Sequence, residues 1–311
     1  MEIYFLGTNA GVPTLQRNVS SVALRLLEER RSLWMFDCGE GTQHQVLRSP
    51  LRLGRLEKLF ITHLHGDHLF GLPGLLSSRG YQGGTAPLTV YGPPGLKAFL
   101  DISLSVSQSR VPYKLEVIEH NGGLIFEDES FKVESALLEH RIDSYGYRVT
   151  EKDRPGSLNT ERLKAYGLKP GPLYGVLKSG RNVTTDEGIT IAAADVLSEP
   201  KRGRIITVLG DTRPCGNSIP LAREADLLVH EATFSHDLAK MARDYHHSTT
   251  VQAAEIAKEA HARQLILTHF SSRYGSLDEL IPLLEEARSI FSNTLLAEEF
   301  RLYPVERKTG N

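Results

Sequence analysis

The sequence predicts an α/β protein built of sheets covered by helices on their outer faces. Three observations carry this. Short β-type runs alternate with amphipathic helical stretches toward both ends of the chain, the pattern of strands joined through helices. The middle instead holds consecutive extended runs with no helix between them, as antiparallel pairing requires. No internal repeat or low-complexity tract interrupts the alternation, and no stretch approaches the roughly 18 apolar residues of a membrane span.

In chain order, residues 3–6, 21–27 and 33–36 are short apolar runs of strand length, with Trp34 and Met35 read as core. Residues 40–47 read as a helix, 58–61 as a strand, 72–78 as a helix, 88–91 as a strand and 96–106 as a longer helix. The extended middle comprises 114–118, 124–126, 131–138 and 146–149. The last third alternates again: strands at 204–209 and 227–229, a helix at 249–260, a strand at 264–267 and a helix at 277–290. Thr249 and Gln252 have capping-box spacing, which starts that helix just after His247.

The chain has 311 residues, 40% hydrophobic and 24% charged, enough apolar material for a substantial core and too much for a disordered chain. Lys+Arg number 36 and Asp+Glu 38, a net charge of −2 that excludes no partner, because an electrostatic footprint is local. Two cysteines, Cys38 and Cys215, cannot build a disulfide framework and read as reduced thiols. The opening MEIYFLGTNAG carries an acid at position 2 and reads as a strand, so no secretory signal or membrane contact is expected and the location is cytoplasmic.

One segment breaks the pattern. Residues 155–180 hold Pro155, Pro170 and Pro172 with five glycines, the composition of an excursion from the body. Across 148–181 there are eight Lys/Arg against three acids, a local surplus of 8 − 3 = +5 inside a chain of net −2. Its bounds are set at 152–181, an inserted basic Gly/Pro arm on a single domain spanning 1–311.

The sharpest signal is FITHLHGDHLFGLPG, which puts His63, His65, Asp67 and His68 within six residues behind an apolar strand. Imidazole and carboxylate together suit zinc or a similar borderline metal. Gly66 is expected to allow the tight turn. Two metals need more ligands than these, and three further apolar runs end in one: VESALLEH at His140, RIITVLGD at Asp211 and QLILTH at His269. Ends of several strands can meet at one sheet edge.

THLHGDH followed by His140, Asp211 and His269 resembles the metallo-β-lactamase fold, an αββα sandwich of two mixed sheets with a two-metal edge site. FLGTNAGVPTLQRN, FDCGEGTQHQ, FITHLHGDHLFGLPGLLSSR, PGPLYGVLKSG, GDTRPC, VHEATF, HHSTT and LTHFSSRY narrow the resemblance to the ribonuclease Z family of tRNA 3′-processing endoribonucleases. The resemblance implies one zinc on His63, His65 and His140, a second on Asp67, His68 and His269, and Asp211 bridging them; manganese or iron is compatible with the same donors. It implies Asp67 as the base that activates water; His247, just before a helix start, reads as general acid with Glu231 as the carboxylate orienting it, the alternative being that both only hold the metal site. It implies precursor tRNA as substrate, gripped by the arm through Gly171, Pro172 and Lys178, with Arg17, Asn18 and Arg273 near the cleavage site. It also implies a homodimer in which the arm of one subunit serves its partner. Asp37, Glu40 and Gln43 can support metal ligands or cap locally. His44, His120, His236, His246 and His261 read as surface or satisfied histidines. A small-molecule phosphodiesterase or other hydrolase on this fold would keep the metal cluster and have no use for the arm. A binding or scaffold protein would have lost ligands, and a structural metal site would close with four ligands per ion.

Overall fold

The computed structural model describes residues 1–307. Two sheets of seven strands lie face to face. The first runs, edge to edge, Leu302–Pro304, Glu2–Gly7, Ser21–Leu26, Ser32–Phe36, Leu56–Phe60, Leu88–Gly92 and Leu115–Glu119. The second runs Thr294–Leu296, Leu265–Thr268, Leu227–Glu231, Ile205–Val208, Ser144–Glu151, Phe131–Leu138 and Gly123–Glu127. Directly consecutive strands pair antiparallel and strands joined through outer-face helices pair parallel, whereas Ser144–Glu151 and Ile205–Val208, separated by a long excursion, pair antiparallel.

Alternation along the strands explains the layers. Ile3 and Phe5 point into the space between the sheets, whereas Tyr4 and Leu6 pack outward under helices. The inner layer is aromatic: Phe36 and Phe60 stack at 5.2 Å, and Phe60 meets Tyr147 of the opposite sheet at 5.3 Å. Outside the first sheet, Met35, Leu59 and Val90 pack on Leu72, Leu75 and Leu76 of helix Leu72–Tyr81. Outside the second, Leu228, Leu265 and Leu267 meet Ala253, Ala254 and Ala257 of helix Thr250–Glu259, whose start carries the expected capping box. The result is an αββα sandwich.

The direction of the strands places the site. Ile205–Val208, Leu227–Glu231 and Leu265–Thr268 are mutually parallel, so the residues after them emerge at one edge. Phe131–Leu138, two antiparallel steps away, ends at the same edge. There the sheets are joined: Tyr145 N donates to Thr62 O at 2.9 Å.

The excursion is larger than the residue count suggested. The chain leaves the second sheet after Glu151 and rejoins it at Ile205, so the expected limit of 181 falls short. Between them stand helices Thr160–Ala165 and Pro172–Lys178, the hairpin Val183–Thr184 with Thr190–Ile191, and helix Ala193–Val196. Leu163 and Leu177 need Ile191 and Val196 to complete a small apolar cluster of their own, which is why the unit continues past the basic stretch. Residues 182–200 add four acids and no Lys or Arg, so the basic surplus belongs to the first half only. Arg154 and Lys201 close the base, each backbone N–H donating to the other's carbonyl at 2.9 Å.

Several short elements had no expectation: the edge strands Thr294–Leu296 and Leu302–Pro304 and helix Ala239–Tyr245. No helix among the described residues is long and apolar enough to cross a membrane, and Cys38 and Cys215 are both free.

Candidate metal centre

The FDCGEG and HGDHLFG segments form the floor of the site because glycine lets their backbones touch. A Cβ on Gly39 would lie 2.3 Å from Asp67 O, and one on Gly71 2.0 Å from Gly39 O. Gly66, expected to supply a tight turn, has no left-handed φ and instead begins the short helix Gly66–Leu69. That helix turns Asp67 and His68 toward the strand ends of the other sheet.

The seven expected ligands converge. His63, His65 and His140 bring donor atoms within 4.8 Å of one another, as do Asp67, His68, Asp211 and His269. His140 Nε2 lies 3.1 Å from His65 Nδ1, and His68 Nε2 lies 3.3 Å from His269 Nε2. Asp211 stands between the groups, with Oδ2 3.7 Å from His63 Nε2 and 3.2 Å from His269 Nε2, and Oδ1 3.4 Å from His68 Nε2.

A surrounding layer fixes which nitrogen faces inward in four of the five rings, those of His63, His68, His140 and His269. Thr62 donates its hydroxyl to Asp37 Oδ2 at 2.9 Å, so it accepts from His63 Nδ1 at 3.0 Å. His63 Nε2 is left buried with no hydrogen-bond partner. Asp37 Oδ2 also takes His68 Nδ1 at 2.7 Å, and the His246 carbonyl takes His140 Nδ1 at 2.9 Å. Thr233 Oγ1 donates to Glu231 Oε2 at 2.8 Å and faces His269 Nδ1 at 3.0 Å. Such outer partners orient metal-binding imidazoles and raise their basicity. Asp37 (φ 58°), His246 (φ 60°) and His269 (φ 59°) all hold left-handed backbone, a local strain concentrated at this edge.

The electrostatics fit a bound cation. Burial, with the neighbouring His68, holds the His63 imidazole well below its usual value and neutral. Burial also works against charge on Asp67 and Asp211, but His68 and His269 keep both carboxyls well below the ordinary range. At His68 burial is overcome by Asp211, Asp67 and Asp37, which raise it well above its usual value. A point among three carboxylates is thus set to hold positive charge. Five imidazoles and two carboxylates with inward-facing nitrogens, one of them a buried orphan, match borderline divalent metals.

Beside this cluster, His247 Nδ1 lies 2.9 Å from Glu231 Oε1 and 4.0 Å from Asp211 Oδ2. Glu231 is buried and also accepts the N–H groups of Thr212, Ser248 and Thr233. On the other side, Gly11 N–H donates to Asp67 Oδ2 at 2.8 Å. This contact had no expectation, since nothing in TNAGVP marks one amide as directed at a carboxylate.

The residues expected around the cleavage point divide. Arg17, expected at substrate, is buried and turned inward: its Nε and Nη2 reach Asn9 Oδ1 at 3.1 and 2.9 Å, and Nη2 also reaches Tyr274 O. Asn18 is likewise occupied, with its side-chain amide on Glu40 O at 2.9 Å and its N–H on Glu299 at 2.7 Å. Arg273 is exposed, 5.3 Å over the Phe234 ring. Gly171, Pro172 and Lys178 lie in the excursion, at the two ends of helix Pro172–Lys178 and exposed. Of the possible supports, only Asp37 touches a ligand; Gln43 packs on Gly74 and Ser78. His120, read as satisfied, is half-buried with Nε2 3.0 Å from the Tyr147 hydroxyl.

A family model described as Anti-Pycsar protein Apyc1 matches residues 1–136. Over its whole length the chain is similar to ribonuclease Z of Anoxybacillus flavithermus, 55% identical over 309 residues, 99% of this chain and 98% of that protein. Ribonuclease Z of Bacillus licheniformis is 53% identical over 307 residues, covering 99% of this chain and all (100%) of its own. Among solved structures, human tRNase Z, short form, matches with a TM-score of 0.72 and 33% identity, over 98% of this chain and 100% of that one. The metallo-β-lactamase fold protein YhfI of Bacillus subtilis matches at 0.66 and 18%, over 97% and 98% of the two chains, a likeness of fold.

Proposed function

This chain belongs to the ribonuclease Z family, and from that premise we propose a di-zinc endoribonuclease that cuts tRNA precursors just after the discriminator nucleotide, leaving a 3′-hydroxyl on the tRNA. It is a metal-dependent phosphodiester hydrolase of tRNA 3′ processing. The observation that supports the finer reading best is the convergence of the donor cluster with the buried Glu231–His247 pair at one edge.

His63, His65 and His140 would hold one ion and Asp67, His68 and His269 the other, with Asp211 shared. When bound, the two ions supply Lewis acidity to the scissile phosphoryl group and lower the pKa of water. Asp67, fixed by the Gly11 amide, orients the attacking water and takes its proton. Water oxygen bonds to phosphorus as the bond to the 3′ oxygen breaks. His247, its Nδ1 committed to Glu231, donates from Nε2 to that departing oxygen. Uncompensated negative charge on an alkoxide leaving group is thereby avoided.

The arm, through Gly171, Pro172 and Lys178, grips the RNA away from the cut, and Arg273 is the exposed cation on the near side. Contacts of that kind position an RNA by shape and phosphate and carry no sequence code. A homodimer in which each arm serves the partner's site, and a cytoplasmic location, belong to the same reading.

Incubating purified protein with a trailer-bearing transcript, mapping both product ends and measuring bound metal tests it. Cleavage one nucleotide after the acceptor stem with about two zinc ions per chain is expected. Hydrolysis of small diesters alone would move the assignment to a small-molecule phosphodiesterase. Sedimentation equilibrium decides the dimer.

A further inference from the structure

Tyr245 stands two residues before His247 yet is 49% exposed. Arg141, which directly follows His140, lays its guanidinium carbon 4.9 Å from the centre of the Tyr245 ring. Both line the same recess, about 220 Å³, as Asp67, His140 and His247. Neither is buried in the core, and the donor cluster makes no use of either. A planar cation stacked on an aromatic ring at a catalytic mouth forms a platform for another flat group.

The reaction identifies which group. A cut that leaves a 3′-hydroxyl expels the 3′ oxygen of the last nucleotide retained. The residue that protonates this oxygen must lie beside that nucleotide's ribose, so its base falls on the His247 side of the recess. Tyr245, two residues before His247, and Arg141, next to His140 whose ring centre lies 5.0 Å from that of His247, line the recess there. We propose that the Arg141–Tyr245 pair is a nucleobase-stacking subsite for the last nucleotide on the tRNA side of the cut. The proposal rests on the functional reading above. A platform of this kind holds any base by its face, so it registers the scissile phosphate over the metal centre without choosing the base.

Single-turnover cleavage of a trailer-bearing precursor, intact or abasic at that nucleotide, tests it with Tyr245→Ala and Tyr245→Phe. Tyr245→Ala is expected to cut the intact substrate roughly ten- to hundredfold more slowly, while Tyr245→Phe, which keeps the ring, stays within about twofold. Arg141→Ala is expected to lose part of the same factor. On the abasic substrate wild type and Tyr245→Ala should cut at one common, reduced rate. An equal loss on both substrates would mean that Tyr245 acts only through the shape of the site, and no loss on either removes the subsite altogether. If the wild-type protein leaves the intact transcript uncut, the functional reading falls and the subsite with it; if wild type and Tyr245→Ala both cut it equally, only the subsite falls.

Discussion

His247 Nδ1 and Glu231 Oε1 lie 2.9 Å apart, on a carboxylate that three backbone N–H groups hold in place. Burial alone would push the imidazole down, but Glu231 overrides it and raises His247 to about 9. A raised value keeps the ring protonated, able to donate, as pH climbs through neutrality.

The rate should therefore hold through neutral pH and fall on an alkaline limb no higher than about 9, since cations bound on adjacent donors can only lower it. Replacing Glu231 by Gln removes the charge that raises His247, so the limb moves to lower pH, toward the ordinary histidine range. A kcat/KM profile of both proteins measures it. A limb that stays put in Glu231→Gln removes His247 from the acid role.

Asp37 accepts His68 Nδ1 and the Thr62 hydroxyl on one oxygen, and Thr62 N–H on the other. Asp37→Asn presents an amide N–H to one of these donors and favours the His68 tautomer whose Nε2 is no longer a free ligand. Metal affinity should fall about 10- to 100-fold with the fold intact. Chelator competition reads this directly, and unchanged affinity would show that His68 is held by its packing alone.

Arg17 offers a sharper contrast because two roles give different kinetics. Its guanidinium bonds Asn9 Oδ1, and the Asn9 amide holds Val12 O at 2.5 Å, so Arg17 shapes the loop that carries the Gly11 amide to Asp67. Arg17→Ala should cost about 1–3 kcal/mol of stability, from acceptors left unpaired, and lower kcat. The slope of log affinity against log salt should not change. A slope shallower by about one would instead make Arg17 a phosphate contact.

What the sequence disclosed depended on how much meaning each residue carried alone. His63 through His68 are legible because four donors crowd into six positions. His140, Asp211 and His269 are legible only as ends of apolar runs, since the register that brings them together is a property of strand direction. Arg17 could not be read: an arginine after a loop looks the same whether it faces RNA or Asn9. Asp37 looked as much like a cap as a support, and only the fold sets it against His68. Leu302–Pro304 escaped notice because a three-residue edge strand ending in proline has no room for a period to show. The excursion was mis-sized because nothing in the sequence ties the short hairpin after it to the basic stretch until Ile191 and Val196 are seen packed with Leu163.

That packing decides how the arm is to be removed. Cutting within 152–181 would strip Leu163 and Leu177 from their cluster and expose Ile191 and Val196, so loss of activity would report misfolding. Removing 155–200 takes the whole cluster away, and Arg154 and Lys201, already paired through both backbone bonds, can be joined by a two-residue Asn-Gly turn. The sandwich cores contain no residue of the arm, so the melting temperature should stay near wild type. Turnover of a small phosphodiester such as a nitrophenyl ester should persist, while kcat/KM for precursor tRNA collapses. A milder variant isolates the electrostatic part. Changing Lys164, Lys169 and Lys178 to Ala should reduce the salt slope by up to about three and weaken binding of all tRNAs alike. Equal loss on small ester and precursor in the deletion would show that the arm supports the metal centre and has no separate hold on RNA.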